Sequence, residues 1–270
     1  MRLLSPAKIN LGLWVLGRRP DRYHEIFTLF QTVDLFDEVY IKEGPLRVET
    51  NTGIPMEENL VYKALLEFWR RTGVCPEVTV YINKRIPQGA GLGGGSSNVA
   101  VVLRVVNEIL GGPLTEEELL DIASSISSDA PFFLRGGTAI GRGRGEILEP
   151  IEPLDLTFTL IVPDVSSSTG KVYSLLQERH FREPPDIEDL IANLRDGSAD
   201  LLENVLGDIA SEVYPQIGEV KRFLESLGLR PLVTGTGSGV FYIGSVTPEV
   251  KRGSQLRGWK VFEIRSWPGA

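Results

Sequence analysis

The chain has 270 residues, of which 42% are hydrophobic and 24% charged, and its formal net charge at pH 7 is −8. These proportions exclude a mainly disordered chain, and this length predicts one large domain or two modest ones, each with its own core. A protein that binds the nucleic-acid backbone is typically basic, so the acidic balance argues against nucleic acid as a partner while permitting a local anion pocket.

The cysteine content and the hydropathy pattern indicate a cellular compartment. The single cysteine, Cys75, cannot form an internal disulfide, and no paired Cys/His spacing indicates a structural zinc site. No cleavage site follows the apolar start of the chain, and no window approaches 18 uninterrupted apolar residues. We therefore expect a cytoplasmic protein with no membrane association, and the sequence indicates no obligatory protein partner.

The first half is predicted to contain strands followed by helices. Alternating apolar residues predict a strand over residues 7–16, with Lys8 and Asn10 on the same face. Further strands are predicted at 38–41, 46–50 and 78–83. Helical periodicity and capping signals predict helices over 58–72 and 98–110 and from Thr115 to about Ile126. Residues 136–145 are predicted to form a turn-rich connection.

The second half repeats the mixture of strands and helices. Its predicted strands are 156–162, 232–233, 240–243 and 260–264, and its predicted helices are 170–178, 187–194, 201–213 and 217–227. Such a mixture predicts an α+β fold of two domains, residues 1–153 and 154–270, with a cleft between them.

The most informative motif is the glycine-rich run at residues 87–98, between a predicted strand and a predicted helix. Its five glycines let the backbone approach a ligand closely, and the helix N-terminus offers unpaired N–H groups and a positive dipole end. The run therefore predicts a phosphate cradle, with a flexible linker or a hairpin turn as the alternative. No Lys-Ser or Lys-Thr follows the glycines, which excludes a P-loop NTPase. The acidic residue expected about 20 positions later starts a helix instead of ending a strand, which disfavours a Rossmann site.

Three motifs in chain order resemble those of the GHMP small-molecule kinases. They are the opening segment 5–11, the glycine-rich run and a second glycine-rich segment, 235–241. The opening lacks the Gly-Glu-His of the galactokinase-like and mevalonate-kinase-like members. Together with the Tyr-His-Glu at 23–25 and the segment 127–133, it is most similar to the branch that phosphorylates a cytidine-diphosphate-linked methylerythritol.

This resemblance implies a two-domain GHMP kinase fold with the active site in the cleft between the domains. The implied reaction transfers the γ-phosphate of ATP to the 2-hydroxyl of 4-diphosphocytidyl-2-C-methyl-D-erythritol. This reaction belongs to the non-mevalonate route to isoprenoid precursors. The resemblance also implies Asp129 as the catalytic base and Lys8 as its assisting cation. Taken alone, Asp129 is more typical of a helix N-cap or turn residue, and Lys8 of a solvated strand lysine.

The resemblance assigns one set of residues to ATP. The set is Asn59, Leu60, Pro87, Gly89, Gly91, Leu92, Gly93, Gly94, Gly95, Ser96 and Ser97. Asn59 has an alternative role as a helix cap. The chemistry also implies Mg²⁺, which bridges the β- and γ-phosphate oxygens, but the sequence identifies no carboxylate that holds the metal.

A second set is assigned to the small-molecule acceptor. It comprises Asn10, Tyr23, His24, Thr169 and Tyr173, with the aromatic residues suited to stacking on cytosine and binding its edge. The alternatives are a strand-end amide for Asn10, a surface pair for Tyr23 and His24, and a core tyrosine for Tyr173. Two rival functions stay open: another GHMP kinase, such as a homoserine or mevalonate kinase, and a nucleotide-binding regulator that has lost catalysis.

Overall fold

The structure is a computed structural model that describes residues 1–269. Its first sheet has six strands, in the order β3-β4-β2-β5-β6, with β1 paired to β2 beside this path. The strands are β1 (Arg2–Arg18), β2 (His24–Glu43), β3 (Arg47–Thr50), β4 (Val78–Asn83), β5 (Thr138–Arg142) and β6 (Ile147–Ile151). The β3–β4 pair is parallel and the other neighbouring pairs are antiparallel.

Four helices accompany the first sheet: α1 (Leu60–Thr72), α2 (Gly94–Ile109), α3 (Glu116–Ile126) and α4 (Ala130–Arg135). The apolar faces of the first three share a core with the sheet, in which Phe68 of α1, Val102 of α2, Ile122 of α3 and Val80 of β4 are all buried. Burial of these stripes fixes the direction in which α2 leaves the glycine-rich run.

The second sheet is antiparallel and has four strands, in the order β10-β7-β9-β8. The strands are β7 (Thr157–Val162), β8 (Leu232–Val233), β9 (Val240–Ile243) and β10 (Lys260–Arg265). The helices of this half are α5 (Thr169–Ser174), α6 (Ile187–Arg195), α7 (Val205–Val213), α8 (Pro215–Ser226) and α9 (Pro248–Leu256). No helix within residues 1–269 is long and apolar enough to cross a bilayer.

A shared core joins the two sheets. Ile9 of β1 and Phe27 of β2 belong to the same buried cluster as Phe158 and Leu160 of β7. The backbone N–H of Leu13 also donates to the carbonyl of Glu203 across the junction, at 2.8 Å. The division into domains 1–153 and 154–270 stays a prediction, although the first sheet ends at Ile151 and the second begins at Thr157.

The mixed α+β class is confirmed, and several predicted elements match the structure. The bounds of β4, β8 and β9 are as predicted. Thr115 and Glu118 form the expected capping box at the start of α3, because each side chain accepts from the other residue's backbone N–H.

Other predicted bounds are wrong for physical reasons. The strand predicted at 38–41 is the end of β2, whose residues 26–33 are buried on both faces and so show no alternation. The segment 136–145 contains β5 as well as turns. Gly141 favours a turn by residue type, but it lies within this strand, where the ring of Phe30 occupies the space of a side chain. Helix α9 is absent from the predicted elements, since only Val250, Gly253 and Ser254 are buried along it.

Candidate active site

A cavity of about 960 Å³ lies where β1, the β1–β2 turn, the glycine-rich run and the N-terminal ends of α4 and α5 meet. Such a volume is at the upper end for small-molecule sites, so it has room for more than one substrate. Every residue that the resemblance assigns to catalysis, ATP or acceptor lines this cavity, with the exception of Ser97.

Lys8 and Asp129 face each other in the cavity. The Lys8 ammonium lies 3.4 Å from an oxygen of the Asp129 carboxylate, and the side chains are 4% and 33% exposed. Lys8 also donates to the side-chain oxygen of Asn10, whose own amide donates to the hydroxyl of Thr28 at 2.8 Å. The side chains of Asn10 and Thr28 thus hold the cation in place, while the carboxylate stays open to the cavity.

The surroundings of Asp129 weigh against the alternative of a simple helix cap. Asp129 occupies the N-cap position of α4, but its side chain makes no capping hydrogen bond. Its carboxylate is therefore available for chemistry and faces the ammonium of Lys8 in the cavity.

The glycine-rich run wraps around the side of the cavity next to this pair. Gly89, Gly91 and Gly93 have φ values of 67°, 75° and 68°, a region that side chains rarely adopt. Gly93 is the N-cap of α2, which begins at Gly94 and not at residue 98 as predicted. Glycine's low helix propensity hid this earlier start. The first-turn N–H groups of α2 consequently come from the run itself and are suited to an anion.

The second glycine-rich segment supports the run from behind. A Cβ on Gly237 would lie 1.9 Å from the Gly91 nitrogen, and a Cβ on Gly91 would lie 2.1 Å from the Thr234 carbonyl oxygen. In addition, the N–H of Gly239 donates to the carbonyl of Ala90 at 3.1 Å. The two segments touch backbone to backbone, so the position of the first depends on the absence of side chains in the second.

Lys84 and Asp37 form a buried ion pair beside the glycine-rich run, which the sequence analysis did not identify. The Lys84 ammonium donates to the Asp37 carboxylate and, at 2.8 Å, to the side-chain oxygen of Asn98. Asp37 is fully buried and also accepts from the N–H groups of Arg85 and Ile86, at 2.7 and 2.9 Å. The pair anchors the chain that leads into the run, and Lys84 lines the cavity.

Substitution Lys84→Met is expected to lower the free energy of unfolding by about 3 kcal/mol, because it leaves the buried Asp37 carboxylate without its cation. Chemical denaturation measures this loss. Lys221→Met is the matched control, since Lys221 pairs with Asp208 on the surface, where an ion pair contributes at most about 1 kcal/mol. Equal losses in the two variants would contradict an anchoring role for Lys84.

Three residues assigned to ATP have structural partners as well. The side chain of Asn59 caps α1 by accepting from the N–H of Val61 at 2.9 Å, the alternative role considered for it, while it also lines the cavity. The Ser96 hydroxyl lies 2.7 Å from that of Ser127 and lines the cavity. Ser97 is fully buried and its hydroxyl bonds to that of Ser5, so it points away from the cavity.

Three of the residues assigned to the acceptor, Tyr23, His24 and Tyr173, are aromatic and line the cavity, where they form what we call the aromatic wall. The rings of His24 and Tyr173 are stacked, with centroids 5.4 Å apart and planes at 27°. Tyr23 is 54% exposed, and the Arg144 guanidinium lies 4.7 Å from its ring centroid. The hydroxyl of Thr169 lies 2.8 Å from that of Thr236.

Two of these side chains are neutral at physiological pH. Partial burial and the nearby charge of Arg18 lower the pKa of His24, so the imidazole is uncharged and keeps one nitrogen as an acceptor. Burial, and to a lesser extent the negative charge of Asp129, raise the pKa of Tyr173, so its phenol keeps its proton.

Sequence reasoning also missed the arginines at the cavity. The cavity is lined by Arg18 at the end of β1, by Arg22 in the β1–β2 turn and by Arg144 in the loop between β5 and β6. The one available signal was the density of arginines around the Tyr-His pair. Among residues 1–269, no three His, Cys, Asp or Glu side chains cluster as a metal site would require.

Comparison with known families agrees with the motifs. The model of the GHMP kinases N terminal domain matches residues 59–137, which include the glycine-rich run and Asp129. Full-length relatives are named for a single activity. A 4-diphosphocytidyl-2-C-methyl-D-erythritol kinase of Persephonella marina is 46% identical over 97% of this chain and 98% of the relative. Its counterpart in Hydrogenobaculum sp. is 40% identical over 98% and 94%.

Solved structures give the same grouping. A crystal structure of 4-(cytidine 5'-diphospho)-2C-methyl-D-erythritol kinase superposes with a TM-score of 0.86 at 32% identity, covering 99% of this chain and 100% of that one. A homoserine kinase from Cytophaga hutchinsonii superposes with a TM-score of 0.72 at 19% identity, over 98% and 94% of the two chains. The second likeness shows that the fold is shared.

Proposed function

Since the chain belongs to the 4-diphosphocytidyl-2-C-methyl-D-erythritol kinase family of GHMP kinases, we propose that it moves the γ-phosphate of ATP to the 2-hydroxyl of that substrate, with Asp129 as base and Lys8 as its assisting cation. The carboxylate takes the proton of the acceptor hydroxyl while the oxygen of that hydroxyl forms a bond to the γ-phosphorus. The bond from that phosphorus to the bridging oxygen breaks, and ADP leaves. Lys8 stabilises the charge that develops on the transferred group.

The single observation that carries this proposal is the Lys8–Asp129 pair in the same cavity as the glycine-rich run. A carboxylate 3.4 Å from a buried ammonium supplies a base and a stabilising charge together. The second glycine-rich segment fixes the run next to this pair through the close approach of Gly237 to Gly91. Phosphoryl transfer needs little more from a protein than this positioning and electrostatic stabilisation.

ATP is proposed to bind with its phosphates on the glycine-rich run and its base toward Asn59 and Leu60. A Cβ on Gly89 or Gly91 would collide with neighbouring protein atoms, so glycine permits this path of the run along the cavity, and the first turn of α2 offers N–H donors. Mg²⁺ fits this site as an ion carried by the nucleotide phosphates, with the Ser96 hydroxyl as an oxygen ligand from the chain. When bound, the metal offsets the charge of the β- and γ-phosphates.

The acceptor is proposed to place its cytosine at the aromatic wall and its alcohol at Asp129. The exposed ring of Tyr23 provides a stacking face, and the neutral His24 can exchange hydrogen bonds with the edge of the base. Tyr173 stacks on His24 and so supports the position of its imidazole ring. Asn10 and Thr169 line the cavity and are suited to the hydroxyl groups of the methylerythritol.

The experiment that tests the assignment is an ADP-release assay with ATP and Mg²⁺, comparing 4-diphosphocytidyl-2-C-methyl-D-erythritol with homoserine, mevalonate and galactose. We expect turnover with the cytidylyl acceptor alone. Turnover with another alcohol alone would keep the fold and the phosphate cradle but contradict the roles of the aromatic wall. No turnover with any of the four would favour the regulatory alternative.

We also propose a cytoplasmic location, which the single cysteine suits.

Substitution Tyr23→Ala is expected to weaken binding of the cytidylyl acceptor by about 1–3 kcal/mol, because it removes one stacking face, and to leave ATP binding unchanged. Titration calorimetry with each substrate measures both effects. Tyr81→Ala serves as the matched control, because Tyr81 is 40% exposed on β4 and does not line this cavity. A similar loss for ATP and acceptor would contradict the cytosine assignment.

A further inference from the structure

The tight turn between β1 and β2 contains a backbone conformation that its residue type disfavours. The N–H of Arg22 donates to the carbonyl of Arg19 at 3.1 Å, and the N–H of Arg19 donates to the carbonyl of Tyr23 at 2.8 Å. Within residues 1–269, Arg22 is the one non-glycine residue with a positive φ, 71°. Where a hairpin loop contains a residue with left-handed backbone, that residue is normally glycine.

Elsewhere in residues 1–269, the residues with positive φ are glycines. Eighteen glycines of the described chain have positive φ. An arginine in this region carries a steric cost that glycine does not. Residues with a strained backbone cluster at functional sites, so the positive φ of Arg22 indicates a function for its side chain.

The side chain of Arg22 adds an uncompensated charge to the cavity. Arg22 and Arg18 both line it, and neither has a carboxylate within 4.0 Å in the part of the chain that the structure describes. Arg19, in the same turn, differs because it pairs with Asp21 and Glu25, at 3.2 and 2.7 Å. Two cations without partners at a cavity predict an anionic ligand.

We propose that Arg22, assisted by Arg18, binds the diphosphate of the acceptor and so sets the preference for a cytidine diphosphate over an uncharged cytidine. The inference rests on the proposed function and extends it. Arg22 precedes Tyr23, the proposed stacking face, whereas the glycine-rich run serves the phosphates of ATP. A guanidinium presents a planar fork of donors that matches phosphate oxygens. The strain at Arg22 is then retained for the position of its charge.

The test compares the binding of cytidine diphosphate and of cytidine to the wild type, to Arg22→Gly and to Arg22→Asn, with titration calorimetry. Both variants remove the charge, and both residue types tolerate the left-handed conformation. We expect the affinity for cytidine diphosphate, divided by the affinity for cytidine, to fall about fivefold in each variant. A loss of this size is typical of one partly exposed charge pair. The affinities for cytidine alone and for ATP should stay unchanged.

Thermal unfolding separates this role from a structural one. Relief of the backbone strain predicts a Tm for Arg22→Gly that is equal to or about 2–4 °C above that of the wild type. Arg252→Gln, which removes one positive charge from α9, is the control and should leave the ratio unchanged. An unchanged ratio in both Arg22 variants would overturn the proposal. If the wild type bound neither compound, the cytidylyl acceptor itself would be contradicted, and this proposal with it.

Discussion

Asp129→Asn is expected to fold as the wild type does and to lower kcat by more than about 100-fold, because an amide cannot take the proton of the acceptor hydroxyl. The side chain of Asp129 makes no capping hydrogen bond, so the substitution removes no helix cap, and asparagine has nearly the same shape. Steady-state ADP release measures kcat, and circular dichroism with thermal unfolding measures the fold. Affinity for both substrates should change much less than kcat.

A second aspartate provides the matched control for this prediction. Asp186 also precedes a helix, but its carboxylate accepts from the N–H groups of Glu188 and Asp189 and so acts as a true cap of α6. Asp186→Asn should leave kcat near the wild-type value, since asparagine is also a good cap. A near-wild-type kcat for Asp129→Asn would eliminate Asp129 as the base, and equal losses in the two variants would point to a general effect on folding.

Gly91→Ala is expected to weaken ATP binding by at least about tenfold and to lower the free energy of unfolding by about 1–3 kcal/mol. The new Cβ would lie 2.1 Å from the Thr234 carbonyl oxygen and 3.0 Å from the Gly237 Cα, at a φ of 75°. Both neighbours are backbone atoms, so the glycine-rich run must move away from the segment that supports it. Equilibrium nucleotide binding and chemical denaturation measure the two losses.

Gly73→Ala separates backbone strain from the loss of contact. Gly73 has a φ of 71° at the end of α1, and a Cβ added there would have nothing within 4 Å. This variant should therefore lose stability through strain alone and keep its ATP affinity. If Gly91→Ala bound ATP as the wild type does, the close contact between the two glycine segments would have no part in forming the nucleotide site.

The sequence predicted the residues whose chemistry depends on local pattern. The glycine-rich run, the face shared by Lys8 and Asn10, and the capping box at Thr115 all follow from neighbours within a few positions. Asp129 was identified because it lies in a family motif. Its separation from a simple N-cap required the structure, since the deciding fact is the absence of a capping hydrogen bond.

Other features depend on contacts between residues far apart in the chain. The Asp37–Lys84 pair joins positions 47 residues apart, and no local spacing predicts it. The inward direction of Ser97 follows from the early start of α2 at Gly94, which glycine's low helix propensity concealed. The charge of Arg22 was readable from the sequence, but its left-handed backbone was not, because arginine gives no signal for that conformation.

The most direct measurement for the central claim, that Lys8 and Asp129 form the chemical centre, is a crystal structure with 4-diphosphocytidyl-2-C-methyl-D-erythritol, a non-hydrolysable ATP analogue and Mg²⁺. We predict the 2-hydroxyl oxygen of the acceptor within about 3.2 Å of an Asp129 carboxylate oxygen and in line with the γ-phosphorus. The Lys8 ammonium should face the same γ-phosphoryl group. An acceptor hydroxyl held by another residue, with Asp129 directed away from it, would contradict the account.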